Sequence, residues 1–154
     1  MSRVHFVIDS DLGEVALVAM AVNTICVHVG LGEVQANEVE LCVAEAVTNA
    51  IRHAYHGNTG ETVSIAVTTD KDELRIEISE SGTPMGVEHV RRLLHGTKSI
   101  EAETGDRMLL PEGGRGLQII HDLMDEVAYT RKDSSNHLLL TKRIGQDRAS
   151  AASQ

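Results

Sequence analysis

Aromatic residues are scarce in this 154-residue chain: Phe6, Tyr55 and Tyr129 make up 2% of it, and tryptophan is absent. A surface that reads single-stranded nucleic acid by stacking needs exposed rings that this sequence does not carry. Positive charge is short as well, with 14 Lys and Arg against 23 Asp and Glu and a net charge of −9. Gripping a phosphate backbone requires a basic footprint, so direct nucleic-acid binding is excluded as the main activity. Any nucleotide bound here is expected to be a small one, held by a metal ion and backbone N–H groups. The two cysteines, Cys26 and Cys42, make neither a metal-ligand pair nor a disulfide framework, and a buried free thiol is the simpler reading of each. Long hydrophobic runs are also missing. The apolar run Val15–Val22 is far shorter than the ~20 residues of a membrane span. It follows Asp9, Asp11 and Glu14, where a secretion signal carries positive charge. A cytoplasmic protein with no membrane partner is expected.

What is present suits a globular domain built on aliphatics. Hydrophobic residues are 42% and charged residues 24%, an ordinary balance for a soluble chain whose length fits one core. One domain is expected over residues 1–146, with a flexible tail at 147–154. Val4, Phe6 and Ile8 alternate with His5, Val7 and Asp9, a strand at an edge. Ser10 or Asp11 then caps a helix running to about His28, ended by Gly30 and Gly32, and Asn37 is a cap for the second helix. Two strands follow, Thr62–Thr68 and Glu73–Ser79, with Leu74, Ile76 and Ile78 marking a buried face. A short helix is expected at Val87–Leu94 and a further one at Leu117–Asp125. The last two strands, Glu126–Arg131 and Asn136–Arg143, meet at a turn from Asp133 to Asn136. This order predicts an α+β two-layer sandwich, with helices on one face of a mixed sheet.

Three segments carry chemistry. Glu45, Asn49 and His53 are spaced by four residues, so on a helix they form one polar row among apolar neighbours. A carboxylate, a carboxamide oxygen and an imidazole so placed suit a hydrated cation and a phosphate, with Glu45 as a general base and Asn49 as a magnesium ligand. The alternatives are a solvated helix residue for Glu45 and a histidine favoured by the helix dipole for His53. Glu80-Ser-Gly82 ends a strand, either as a plain turn or as a carboxylate placed to accept from an exocyclic amine, with Gly82 permitting close approach. Gly113-Gly114-Arg115-Gly116-Leu117 opens a helix, either as a hinge or as a set of N–H groups closing on a phosphate.

Taken in order, these segments resemble the GHKL (Bergerat-fold) ATPase superfamily, and within it the small anti-sigma-factor serine kinases of bacterial partner-switching systems. Glu45-x-x-x-Asn49-Ala-x-x-His53-Ala-Tyr55 resembles their asparagine box. Glu80-x-Gly82-x-Pro84 resembles the first glycine box, and Gly114-x-Gly116-Leu117 with the following Leu123-Met-Asp-Glu-Val127 the second. The resemblance implies ATP and Mg2+ as cofactors, with Asn49 on the metal and Glu45 as catalytic base. It also implies an ATP site formed by Asn49, His53, Glu80, Gly82, Gly113, Gly114, Arg115, Gly116 and Leu117. Residues 85–112 would form a lid. The implied partners are a sigma factor, a STAS-domain anti-anti-sigma protein and a second copy of the chain. One position departs from the family: Glu80 stands where an aspartate is usual, one methylene longer. A non-catalytic switch protein of the same fold is the alternative that Glu80 favours.

Overall fold

The strand-like alternation and helical periodicity become five strands and, among the described residues, four α-helices in the computed structural model, which describes residues 1–96 and 112–145. The strands are β1 (Ser2–Asp9), β2 (Thr62–Thr69), β3 (Glu73–Glu80), β4 (Glu126–Lys132) and β5 (Ser135–Arg143). The helices are α1 (Val15–His28), α2 (Glu33–Asn49), α3 (Val87–His95) and α4 (Glu112–Leu123). The architecture is the expected α+β sandwich, with sheet order β1-β2-β3-β5-β4. Every neighbouring pair is antiparallel, so the expectation of a mixed sheet is corrected. The reason is topological. Two helices lie between β1 and β2 and return the chain to the end at which β1 finished, Asp9 beside Thr62, so β2 runs against β1. β5 then inserts between β3 and β4, separating the two strands that run in the same direction.

One face of the sheet makes the core. Ile65 pairs with Ile78 and Ile78 with Leu138, while Val67, Ile76 and Leu140 form the next row. Against these rows α1 buries Val18, Val22 and Cys26, and α2 buries Val39, Val43 and Val47. Each fully buried aliphatic side chain contributes about 1.5–3 kcal/mol, which is how a chain with so few rings still holds a core. Gly30, at φ +97°, ends α1. Gly32, in extended conformation, is the residue from which α2 starts. Asn37 is therefore not the cap but lies inside α2, where its side-chain oxygen accepts from Asn23 Nδ2 at 2.9 Å.

Three local features position the site. First, α2 runs on into a π-helical turn, Ala50–Ala54, closed by Tyr55 N donating to Ala50 O at 3.1 Å. Such widened turns are rare and concentrate at functional sites. Second, α4 begins at Glu112, so Gly113–Gly116 lie in its first turns rather than in a loop ahead of it, and it stops at Leu123. Lys142, 1% exposed, donates from Nζ to Leu123 O at 2.6 Å and pairs with Glu38 Oε2 at 3.1 Å. It thereby ties the end of α4 to β5 and α2. Third, the β4–β5 turn is shorter than expected. Within this turn Asp133 and Ser134 have positive φ (50° and 66°), as a two-residue hairpin of matching twist requires. Asn136 consequently belongs to β5. Residues 97–111 of the expected lid and the whole expected tail lie outside the described residues.

Candidate functional site

A cleft opens between the C-terminal half of α2, the ends of β3 and β5, the loop after β3, and α3 and α4. Its wall includes Asn49, His53, Glu80, Met85, Leu117, Tyr129, Asn136 and Leu138. Four of the residues singled out in the sequence, Asn49, His53, Glu80 and Leu117, thus meet at one place. They come from α2, its π-helical extension, β3 and α4.

Asn49 reaches the wall from the last turn of α2. Its Nδ2 is buried and has no hydrogen-bond partner among the described residues. A buried, unpaired amide costs about 1–3 kcal/mol, and a ligand that supplies its partner recovers that cost. Turning the carboxamide over presents Oδ1 instead, the hard oxygen donor that magnesium prefers. The residues present therefore fit a nucleotide–magnesium group at this point.

Glu80 is part of the same wall. Its Oε2 accepts from Gly82 N at 2.6 Å and its Oε1 from Asn136 Nδ2 at 2.9 Å. The additional methylene relative to aspartate is taken up by this fold-back, while the carboxylate remains in the cleft wall. Gly82 itself stands behind the wall. A Cβ there would overlap the carbonyl oxygen of Ala54 and lie 2.6 Å from its carbon. Thr83 N donates to that same oxygen at 2.9 Å, clamping the loop to the π-helical turn. Gly82 faces an adjoining hollow shared with Tyr55, His56, Glu61 and Arg131. Tyr55 braces the loop from below, accepting from Ser81 N at 2.9 Å and donating to Thr62 O at 2.8 Å.

Glu45 is not part of the cleft wall. It lies one turn back on α2, half-buried, against Gly116. A Cβ at Gly116 would overlap Glu45 Oε2 and lie 3.3 Å from its Cδ, so a side chain there would require the flexible Glu45 carboxylate to turn away. Gly114 is buried here and Arg115 is exposed, and Gly113 belongs to the first turn of the helix. The backbone N–H groups of that turn have no partner within the helix and carry its positive end. Helix starts in general favour an anion.

Several wall residues escaped sequence reasoning. Asn136 was read only as the junction of a turn and the last strand, yet it shares parity with Leu138 and Leu140 and so falls on the buried row. A polar side chain in that row was the available signal. Tyr129 likewise shares parity with Val127, and its hydroxyl accepts from Met85 N at 2.8 Å. Burial raises the Tyr129 pKa above its ordinary value; the bond from Met85 acts the other way.

Comparison with known proteins agrees with this geometry. A sequence model described as the histidine kinase-like ATPase domain matches residues 8–142. The chain is 32% identical over 136 residues to the serine-protein kinase RsbW of Bacillus licheniformis, covering 87% of this chain and 81% of that one. It is 30% identical over 136 residues to the serine-protein kinase RsbW of Halalkalibacterium halodurans, covering 86% and 78%. Its fold is similar to a chain in the crystal structure of the SiaB–SiaC complex from Pseudomonas aeruginosa. That alignment has a TM-score of 0.56 and 12% identity over 90% of this chain and 89% of the other. With the asparagine-bearing helix, the glycine-clamped loop and Leu117 of α4 around one cleft, this chain belongs to the histidine kinase-like ATPase domain family.

Proposed function

We propose that this protein is an ATP-dependent serine-protein kinase and anti-sigma factor of a bacterial partner-switching system. It is a cytoplasmic homodimer of one domain, residues 1–146. It sequesters a sigma factor and phosphorylates a serine on a STAS-domain anti-anti-sigma protein. The observation that carries this reading is the buried Nδ2 of Asn49, without a hydrogen-bond partner among the described residues, in a cleft whose wall also holds Glu80. The edge position of β1 and the exposed Leu17, Met20 and Val27 of α1 support self-association. No helix among the described residues is long and apolar enough to cross a membrane.

The roles follow from chemistry and place. Glu80 accepts from the 6-amino group of adenine. Asn49 holds magnesium through its amide oxygen, and His53, Arg115 and the start of α4 from Gly113 to Leu117 take the phosphates. Magnesium, when bound, offsets the charge that gathers on the β- and γ-phosphates. Glu45 accepts the proton of the substrate serine as its oxygen attacks the γ-phosphorus. The bond to the β,γ-bridging oxygen breaks and ADP leaves. The contact of Glu45 with Gly116 makes the position of α4 a control on this step. The phosphoserine then carries charge into the antagonist's contact surface and breaks it.

A second reading, a non-catalytic switch protein that binds a partner without phosphotransfer, has two observations in its favour. Glu80 replaces the usual aspartate, and Glu45 packs against Gly116 instead of lining the cleft. Calorimetric titration with ATP in magnesium and then in chelator, followed by radiolabelled γ-phosphate transfer to serine-bearing STAS proteins, separates the two. The kinase reading expects magnesium-dependent micromolar binding. It also expects that Glu45→Ala abolishes transfer and changes affinity no more than a few-fold. Binding without transfer by the unaltered protein selects the switch, and no binding at all overturns the nucleotide reading.

A further inference from the structure

We infer that Asn136 is a positioning residue that sets nucleobase selection by holding the Glu80 carboxylate as a fixed pair of acceptors. This rests on the nucleotide reading above and adds to it a residue and a selectivity.

The orientation of the Asn136 amide is determined by its neighbours. Arg131 Nη1 donates to Asn136 Oδ1 at 3.0 Å, and a guanidinium has only donors. The amide oxygen must face Arg131, and the NH2 group faces Glu80. Its two hydrogens go to Glu80 Oε1 at 2.9 Å and Gly82 O at 3.1 Å. Asn136 is 1% exposed, and both of its donors are spent inside the protein. It therefore has no N–H left for a ligand and acts through Glu80.

The consequence falls on the carboxylate. One hydrogen bond from Asn136 and one from Gly82 N engage one oxygen each, and each oxygen keeps a further acceptor site. The Glu80–Asn136 pair presents acceptors to the cleft and no donor. A 6-aminopurine satisfies it through its amino group, whereas a 6-oxopurine in the same pose sets a carbonyl lone pair against the carboxylate and can offer its N1–H only by shifting. The extra methylene of a glutamate gives its head more rotamers than an aspartate has, and the tether to Asn136 removes that freedom. Without the tether, Oε1 swings away and the distinction between amine and carbonyl weakens.

The test compares ATP with inosine triphosphate, which carries oxygen at the same ring position. Both are titrated calorimetrically in magnesium into the unaltered protein, Asn136→Ala and Arg131→Ala. The unaltered protein is expected to favour ATP by at least about tenfold, the scale of one hydrogen bond to a charged group. Asn136→Ala is expected to lose most of that ratio, through weaker ATP binding and little change for inosine triphosphate. Arg131 is exposed, and its removal frees the amide to turn over, so Arg131→Ala moves the ratio the same way by a smaller factor. If Asn136→Ala does not fold, Arg131→Ala decides. A merely structural role weakens both nucleotides equally. An unchanged ratio in a folded variant that still binds ATP overturns the inference. Failure of the unaltered protein to bind either nucleotide refutes the nucleotide reading instead.

Discussion

Replacing Gly82 with alanine tests whether the loop after β3 is held in place by the absence of a side chain. Gly82 is not among the glycines with positive φ, so the substitution carries no left-handed strain and its cost is one of space. The added Cβ would lie 2.6 Å from the Ala54 carbonyl carbon and 3.0 Å from the Ala54 Cβ, besides overlapping the carbonyl oxygen. Carbon atoms in contact sit about 3.5–4.0 Å apart, and backbone at the end of a helix cannot rotate out of the way. The loop must back off by about 1 Å. That stretches the bond from Thr83 N to Ala54 O and the two bonds through which Glu80 and Asn136 hold Gly82. Overpacking at about 1–3 kcal/mol plus one weakened hydrogen bond at about 1 kcal/mol gives a loss near 3 kcal/mol. In a chain of this size each kcal/mol lowers Tm by about 2–4 °C, so a fall of roughly 6–12 °C is expected. Urea and thermal unfolding measure it, with Gly86→Ala on the same loop as the control. A Cβ at Gly86 meets only His89 Nδ1 at 3.5 Å, and because Gly86 is the N-cap of α3 that variant should lose only the difference between a glycine and an alanine cap, about 1 kcal/mol. Equal stability of the two variants would refute the reasoning.

Lys142→Met should be costly although it places an apolar chain in an apolar setting. It strands the Glu38 carboxylate that the ammonium now serves and removes the bond to the Leu123 carbonyl, and a loss of about 3 kcal/mol is expected in urea unfolding. A neutral result would show that Glu38 simply turns to solvent. Burial pushes the thiols of Cys26 and Cys42 up to about 12 from 9.0. The native protein therefore holds those protons after the unfolded chain has released them. Stability is complete below pH 9 and falls as pH rises from 9 to 12. Melting curves across that range should slope less steeply for the Cys26→Ala, Cys42→Ala double variant, and identical slopes would count against the assignment.

Much of this protein could be read locally, and the limits of that reading lie at particular residues. The spacing of Glu45, Asn49 and His53 specified a polar row because a helix imposes its period on neighbours in sequence. The alternation of Leu74, Ile76 and Ile78 specified a buried strand face for the same reason. The likeness to the histidine kinase-like ATPase domain also rested on short segments in order. Asn37 misled because a good capping residue is equally good as a side-chain partner inside a helix, and Asn23 on α1 claimed its oxygen. Gly113–Gly116 misled because glycine weakens a helix without forbidding one.

The roles of the other residues depended on distance through space. Asn136 meets Glu80 only because β5 pairs with β3 in the register that sets those two opposite each other. A register shift of one residue would turn the amide to the other face. Gly82 was legible as a glycine, but the surface it accommodates is the Ala54 carbonyl, which only the docking of the loop on the π-helical turn brings near. Glu45 and Gly116 likewise meet through the packing of α4 on α2. Period, charge and composition act between neighbours along the chain, so the sequence by itself determined the helices, most of the strands and the family. Register and packing join residues far apart in sequence, so the tertiary structure alone decided how the carboxylate at Glu80 is held and where Glu45 lies.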